Sequence, residues 1–552
     1  MNNVETKNLF SREDLELAWE RVCASVGSDV KDYFGINVIS HNVTSYLDEL
    51  YESLNNNRYQ PNKPFKYFEP KKCGTQRTKT VLRINDAIIY QAVADRVGFQ
   101  LYTQLSKTKD NVFGSVLSEN VQKGMRILED DEADFYFFEY YVSLYNRFID
   151  GVSSTLESGN VEYKLETDIT GFFDCIPHSV VLLKLHEYGI EKRLLDLLAS
   201  CLNSWSGTRD NLTLNVGIPQ GPPASFLLAN ILLDELDRKL IAEGFRYFRF
   251  MDDIRIYAAS EEELLDVLVS IDRYLKGHAL SLNASKTEIK SIESDKNKDA
   301  LLDLYGVPFD EKLLEDEDEH EIIVQDETQL KDKSPKSKTL NLESANKIKS
   351  KLLSLIEDEL LELVDVNKNI QKNQILSHET VRHFLTLSQR WRGFASSLIQ
   401  LGKYKPNTNL IKVWLFGVEH MFWKANSMIW NLKLYDDLEL HSKEYERLLK
   451  RLARFEWVKY QLLSIFYNVY PNNTERHQRA IYDLKNESSP LVRLGYYSVL
   501  IESLKEDSAL SVSYGDALKN EKEEYVKEAV LSAIHYRNMQ VSIDNLKTWF
   551  LK

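Results

Sequence analysis

The chain has 552 residues, of which 43% are hydrophobic and 11% aromatic, enough for roughly two to four domains with real cores. A formal net charge of −15, from 69 Lys and Arg against 84 Asp and Glu, argues against a protein that coats nucleic acid through a global positive field. No apolar run approaches bilayer length, and the opening "MNNVETKNLFSREDLELAWERV" lacks a basic flank followed by an apolar signal core, so a cytoplasmic protein with no membrane partner is expected. The cysteines, Cys23, Cys73, Cys175 and Cys201, are too scattered for a zinc motif or a disulfide framework.

Up to about residue 300, strand-like runs alternate with helical ones, an α/β pattern. "VEYKLETDITGFFDCIPHSVV" (161–181) sets Val161, Tyr163 and Leu165 on one face of a strand. Glu162, Lys164, Glu166 and Asp168 fall on the other, with Asp168 at the strand's end. "VGIPQGPPASFLLANILLDELDRKL" (216–240) reads as a Pro-Gln-Gly-Pro-Pro loop feeding a helix from Ala224 onward, its prolines at or just before the first turn. In "FRYFRFMDDIRIYAAS" (245–260), two runs of aromatic and branched residues predict a hairpin with Met251, Asp252 and Asp253 in the turn.

If the strand ending at Asp168 lies beside that hairpin, three carboxylates converge. Such a cluster repels itself unless a cation neutralises it. Oxygen-only ligands select a hard ion, and with a triphosphate to hold they select Mg²⁺. Two such ions suit in-line phosphoryl transfer.

Between Phe309 and Leu330 ten acids stand against one lysine, and a mostly basic run follows, the pattern of a surface insertion or linker. Beyond about Leu340, amphipathic helical segments dominate. "WVKYQLLSI" (457–465), "LVRLGYYSV" (491–499) and "YVKEAVLSA" (525–533) align at a constant offset of 34 residues. Three segments in register predict a helical solenoid, and "ESSPLVRLGYYSVL" resembles a HEAT-type repeat helix with a serine cap and first-turn proline.

The order of these pieces resembles the reverse transcriptases, especially the bacterial lineage related to group II intron enzymes. "DITGFFDCI" looks like their first palm motif, "PQGPPASFLLANILLDELD" like the second, "FMDD" like the aromatic-x-Asp-Asp box, and "LSLNASKTEIKSI" (280–292) like the motif that follows. "KKCGTQRTKTVLRINDAIIYQAVADRV" (71–97) looks like the fingers segment.

The resemblance implies an α+β, right-hand-like polymerase. An N-terminal helical extension would span 1–60, fingers 61–150 and palm 151–300, followed by a charged linker at 301–345 and an all-α HEAT-like domain over 346–552. It also implies that Asp168 and Asp252 ligate two Mg²⁺ ions, with Asp253 beside them, and that Phe173 lies beneath the incoming sugar and selects deoxynucleotides. Gln220 and Gly221 would contact nucleotide and template. Lys72, Arg77 and Arg83 would grip the triphosphate, and Lys286 would assist pyrophosphate departure. The family's usual Ser-Pro after the Gln-Gly loop is Ser225-Phe226 here, and no clear primer-grip or thumb sequence follows Ile292.

A reverse transcriptase palm fused to HEAT-like helices without mobility domains looks like the abortive-infection and related antiphage reverse transcriptases. That group implies dNTP substrates, untemplated DNA synthesis primed from a protein hydroxyl, a covalently attached DNA product and a homo-oligomer. Two other readings stand beside it. One is an RNA-templated reverse transcriptase using a cognate noncoding RNA; the other is a scaffold with an idle palm that binds a phage or host partner.

Overall fold

A computed structural model describes residues 4–25, 36, 39–40, 42–130, 134–158, 160–207, 209, 213–292, 410–435, 437–471, 473–501 and 508–538. The charged segment expected at 301–345 lies outside the described residues, as does the start of the expected helical domain. The described residues fall into two compact units. One comprises those up to Ile292 together with those from Leu452 onward; the other comprises those from Leu410 to Arg451.

The first unit begins with α1 (Arg12–Ala24), whose start is fixed by a reciprocal cap: Asp14 N–H donates to Ser11 Oγ at 3.0 Å and Ser11 N–H to Asp14 Oδ2 at 2.8 Å. It packs on both α2 (Val43–Asn55) and the long α3 (Ile84–Leu105). Leu15, Trp19, Leu47 and Leu50 join the same apolar core as the palm residues Leu165 and Ile254, so the N-terminal segment is part of the core. Between α2 and α3, β1 (Phe65–Pro70) and β2 (Gln76–Val81) form an antiparallel hairpin, the fingers hairpin of the resemblance.

The palm follows with α4 (Tyr141–Glu157), β3 (Tyr163–Asp168), α5 (His178–Glu187), α6 (Lys192–Trp205) and α7 (Pro223–Ala242). It is completed by β4 (Arg246–Phe250), β5 (Asp253–Ala258), α8 (Glu261–Gly277) and β6 (Glu288–Ser291). The sheet order is β4-β5-β3-β6, every pair antiparallel. Side chains alternate along a strand, so the register defines two faces. Leu165, Tyr247, Ile254 and Ile256 line the core face, over which α7 and α8 pack. Asp168, Asp253, Arg255, Phe248 and Phe250 share the opposite face, flanked at the β4 edge by α4.

The residues after Leu452 form α12 (Glu456–Leu463), α13 (Thr474–Asn486), α14 (Pro490–Leu500), α15 (Ser508–Lys519) and α16 (Glu524–Asn538). The three segments of the 34-residue alignment fall on α12, α14 and α16, and α14 packs on both of the others. An ion pair repeats with the same period: Lys459 bonds Glu487 at 2.5 Å and Arg493 bonds Glu521 at 2.7 Å.

These helices also grip the fingers hairpin. Phe65 and Tyr67, on one face of β1, stack on Tyr525 and Trp457 with ring centroids 4.6 and 5.2 Å apart. Glu456 accepts the Phe68 N–H at 2.7 Å and pairs with Arg209 at 2.8 Å. The expected single helical unit over 346–552 is therefore corrected: its last stretch belongs with the polymerase-like core, because β1 buries its aromatic face there.

In the second unit, α10 (Ala425–Leu432) and α11 (Ser442–Arg451) pack on α9 (Leu410–His420), which carries the buried Trp414. Its buried Glu419 takes ion pairs from Arg447 at 2.7 Å and Arg451 at 2.5 Å. No helix among the described residues is long and apolar enough to cross a membrane.

Candidate active site

Asp168 ends β3 directly opposite Asp253, the first residue of β5. The expectation that Asp253 sits in the turn is thus corrected. Pairing with β3 and β4 keeps it in the strand and leaves Met251 and Asp252 as the turn. Met251 has a left-handed backbone with φ of 57°, and the Asp252 carbonyl accepts the Ile169 N–H at 3.3 Å, tying the turn to the end of β3.

The three carboxylates are electrostatically linked. Desolvation raises the Asp252 carboxyl to about 6, with Asp168 and then Asp253 pushing in the same direction and Arg77 opposing. Asp253 is also raised, by desolvation first, with Arg255 opposing and Glu166 and Asp168 reinforcing.

Two of the three carboxylates are each drawn toward a cation. Lys286 Nζ lies 2.9 Å from Asp168 Oδ2, and Arg255 Nη2 lies 3.5 Å from Asp253 Oδ2. Among the described residues no group of three His, Cys, Asp or Glu side chains forms a metal cage by itself. The cluster is looser than its expected convergence, and a cation there would need further oxygen donors from water or phosphate. The donor set itself, oxygen-only and strained by its own charge, fits a hard divalent ion.

Lys286 is placed by the turn before β6. Asn283 N–H donates to the Asp168 carbonyl at 2.7 Å, and Lys286 N–H bonds the Asn283 carbonyl at 2.9 Å. Phe173 lies in the single helical turn Phe172–Cys175, buried, edge-on to Phe226 with centroids 5.2 Å apart. Its carbonyl accepts Ile218 N–H at 2.9 Å, joining the turn to the Pro-Gln-Gly loop. The buried His178 strengthens that junction, bonding the Gly217 carbonyl at 2.7 Å and Asn203 at 3.1 Å.

Gln220 accepts the Thr80 N–H at 3.1 Å, so the loop docks on β2. Gly221 has φ of 143°, and a Cβ there would stand 3.2 Å from the Thr80 carbonyl oxygen, so this approach requires glycine.

The fingers residues divide. Arg77 on β2 acts electrostatically on both Asp252 and Asp174. Lys72 is exposed in the hairpin turn. Its neighbour Lys71, with Lys66 and Arg77, opposes the rise in the Asp174 carboxyl caused by burial. Burial pushes Lys66 down to about 8, with Asp174 opposing. Arg83 turns away to the C-terminal helices, ion-paired with Glu528 and lying over the Tyr525 ring at 5.1 Å.

Sequence reasoning missed the support beneath the turn. Arg249 and Asp237 form a buried bidentate pair at 2.8 and 2.6 Å, and Arg249 Nη1 also donates to Asn230 Oδ1 at 3.0 Å and to the Met251 carbonyl at 2.8 Å. No local signal marked it: Asn230 and Asp237 lie on a helix that also carries Ser225, Asp234, Glu235, Arg238 and Lys239.

With this geometry in place, the chain can be set beside known proteins. Residues 70–331, just under half the chain, match the family described as reverse transcriptase (RNA-dependent DNA polymerase). The chain thus carries a reverse transcriptase domain, a nucleotidyltransferase domain. A putative COX1/OXI3 intron 2 protein of Saccharomyces cerevisiae is 37% identical over 78 residues, covering 14% of this chain and 9% of the yeast protein. The chain therefore spans about a tenth of that relative's length.

Telomerase from Candida albicans, in complex with a fragment of telomeric RNA, is 12% identical with a TM-score of 0.31, covering 75% of this chain and 70% of that one. Apo telomerase from Candida tropicalis is 11% identical with a TM-score of 0.29, covering 68% of each chain.

Proposed function

We propose that the chain is a Mg²⁺-dependent DNA polymerase of reverse transcriptase type that acts in antiphage defence by abortive infection, through untemplated synthesis primed from a protein hydroxyl. The observation that carries the polymerase reading is the facing pair Asp168 and Asp253 with Asp252 in the adjoining turn, beneath a fingers hairpin whose Arg77 acts on Asp252. The defence reading is supported by the fusion of such a palm to 34-residue helical repeats that pack on its fingers.

Asp168 and Asp252, with Asp253 beside them, would hold two Mg²⁺ ions. When bound, these supply charge balance for the attacking hydroxyl and the departing pyrophosphate. Arg77 and Lys71 offer donors for the triphosphate, and the Phe173 ring excludes a 2′-hydroxyl. Lys286 holds a proton beside Asp168, where it can meet a leaving phosphate oxygen. dNTPs are the substrates, the DNA product stays attached to the protein, and the helical repeats provide surfaces for homo-oligomer formation in the cytoplasm.

The test is labelled nucleotide incorporation by the purified full chain with Mg²⁺ and each dNTP, with and without primed RNA. Products are run on a denaturing gel before and after protease. Product made without template that shifts only after protease supports the reading. Product that needs primed RNA overturns the untemplated part. A double Asp252→Ala, Asp253→Ala variant that still protects cells from phage overturns the catalytic role in defence.

A further inference from the structure

The catalytic face of the sheet continues into an exposed aromatic surface. Phe250 stands opposite Asp253 on adjacent strands, so its ring and the Asp253 carboxylate share one face. Tyr141, at the first position of α4, meets Phe250 edge-on with centroids 5.3 Å apart and lies parallel to Tyr145 at 6.3 Å, interplanar angle 11°. Tyr145 also meets Phe250, at 5.8 Å, and Phe148 closes the cluster from below at 5.9 Å. The arrangement is buried at its base and open at its end: Phe148 is 1% exposed, whereas Tyr141 is 60% exposed.

An aromatic ring held rigidly by its neighbours yet left open to water is unusual for packing alone, since its outer face gains nothing from the core. What distinguishes this patch from a generic apolar surface is its continuity with the carboxylate tip. A strand whose 3′ end reaches Asp253 meets the aromatic cluster on the same face, and its bases have π-faces to offer.

We propose that Tyr141, backed by Tyr145 and Phe250, is a stacking platform for an unpaired base of the growing DNA strand close to its 3′ end. This rests on the polymerase reading above and adds a binding site to it. Stacking on an aromatic side chain is tolerant of base identity, which suits synthesis without a template.

The test is equilibrium binding of a fluorescein-labelled oligothymidine to the full chain in EDTA, so that no catalysis contributes. Loss of a single base–aromatic stack predicts about tenfold weaker binding for Tyr141→Ala. Tyr141→Phe, which keeps the ring, should stay within about twofold of wild type on the same ground. Tyr482→Ala removes a similarly exposed ring from α13 and should change nothing. Thermal melting of each variant confirms the fold.

Unchanged binding in Tyr141→Ala, equal weakening in Tyr482→Ala, or no binding by the wild type would overturn the platform. So would a Tyr141→Phe variant as weak as Tyr141→Ala, since the hydroxyl would then be the active group. An oligouridine RNA of the same length tells whether the platform prefers DNA. If the wild type binds DNA through Tyr141 yet incorporates no nucleotide, the polymerase reading fails while the platform stands.

Discussion

Arg249 reaches from the core face of β4 to the carbonyl of Met251 at 2.8 Å, and so holds in place the left-handed residue that precedes Asp252. A non-glycine residue in this backbone region is strained by about 1–2 kcal/mol, and the strain persists where the surroundings over-determine it. Here the anchor is a fully buried guanidinium fixed by both oxygens of Asp237.

Arg249→Leu leaves Asp237 as an uncompensated buried charge and should cost about 3–5 kcal/mol of stability. The double variant Arg249→Leu, Asp237→Leu removes both charges and should recover much of that loss while nucleotide incorporation stays low, because nothing then holds the Met251 carbonyl. Melting temperature and incorporation rate, measured on the same preparations, separate the two effects. A double variant that regains activity along with stability would deny Arg249 its positioning role.

Gly114 tests the same turn from the other side. A Cβ at this position would lie 2.4 Å from the Met251 backbone nitrogen, and backbone atoms cannot rotate away. Gly114→Ala should therefore displace the turn bearing Asp252. A misplacement near 1 Å is expected to lower incorporation about 100-fold, with a stability loss of about 1–3 kcal/mol from overpacking. Single-turnover incorporation at saturating dNTP checks this; a wild-type rate would mean that the turn tolerates the shift.

The hairpin and β3 were legible because bulky and branched residues alternate around them, and the 34-residue period was legible because Val and Ser recur at fixed positions. Adjacent aspartates look equally turn-forming, which puts Asp253 in the turn on sequence alone; only pairing with Asp168 and Phe250 keeps it in the strand. Lys72 and Lys71 are indistinguishable as letters and both are exposed, yet the path of the hairpin lets Lys71 and not Lys72 act on Asp174. The Arg249–Asp237–Asn230 network and the grip of α12 on β1 were not legible. Both are made by burial between segments that carry no local signature of each other.

Phe173 combines tight packing with a position on the Pro-Gln-Gly junction. Its ring is 7% exposed and braced by Phe226, the residue that stands where the resembled family has proline. Phe173→Ala would open room for a 2′-hydroxyl. Discrimination between dNTP and rNTP, read as the ratio of kcat/KM values, should fall about 10- to 100-fold, in the range for altering apolar contacts in a pocket. Phe226→Ala should produce a smaller fall, through a looser Phe173. An unchanged ratio in Phe173→Ala would remove the residue from sugar selection.

Glu456 ties the C-terminal helices to the β1–β2 hairpin. Its carboxylate accepts the Phe68 N–H of β1, the Arg209 guanidinium and the Ser489 hydroxyl. Glu456→Ala strips these donors of their acceptor at a largely buried site, at about 1–3 kcal/mol for each donor that water fails to reach. The neighbouring Trp457→Ala should cost about 3–5 kcal/mol by removing the ring on which Tyr67 stacks. Because β2 of the same hairpin bonds Gln220 through Thr80, loosening β1 should also raise the KM for dNTP more than it lowers kcat. Hydrogen exchange gives the most local reading: the Phe68 amide should lose protection in Glu456→Ala while amides of β3 and β5 keep theirs. Equal loss throughout the palm would mean that the helices support the whole polymerase unit rather than the fingers alone.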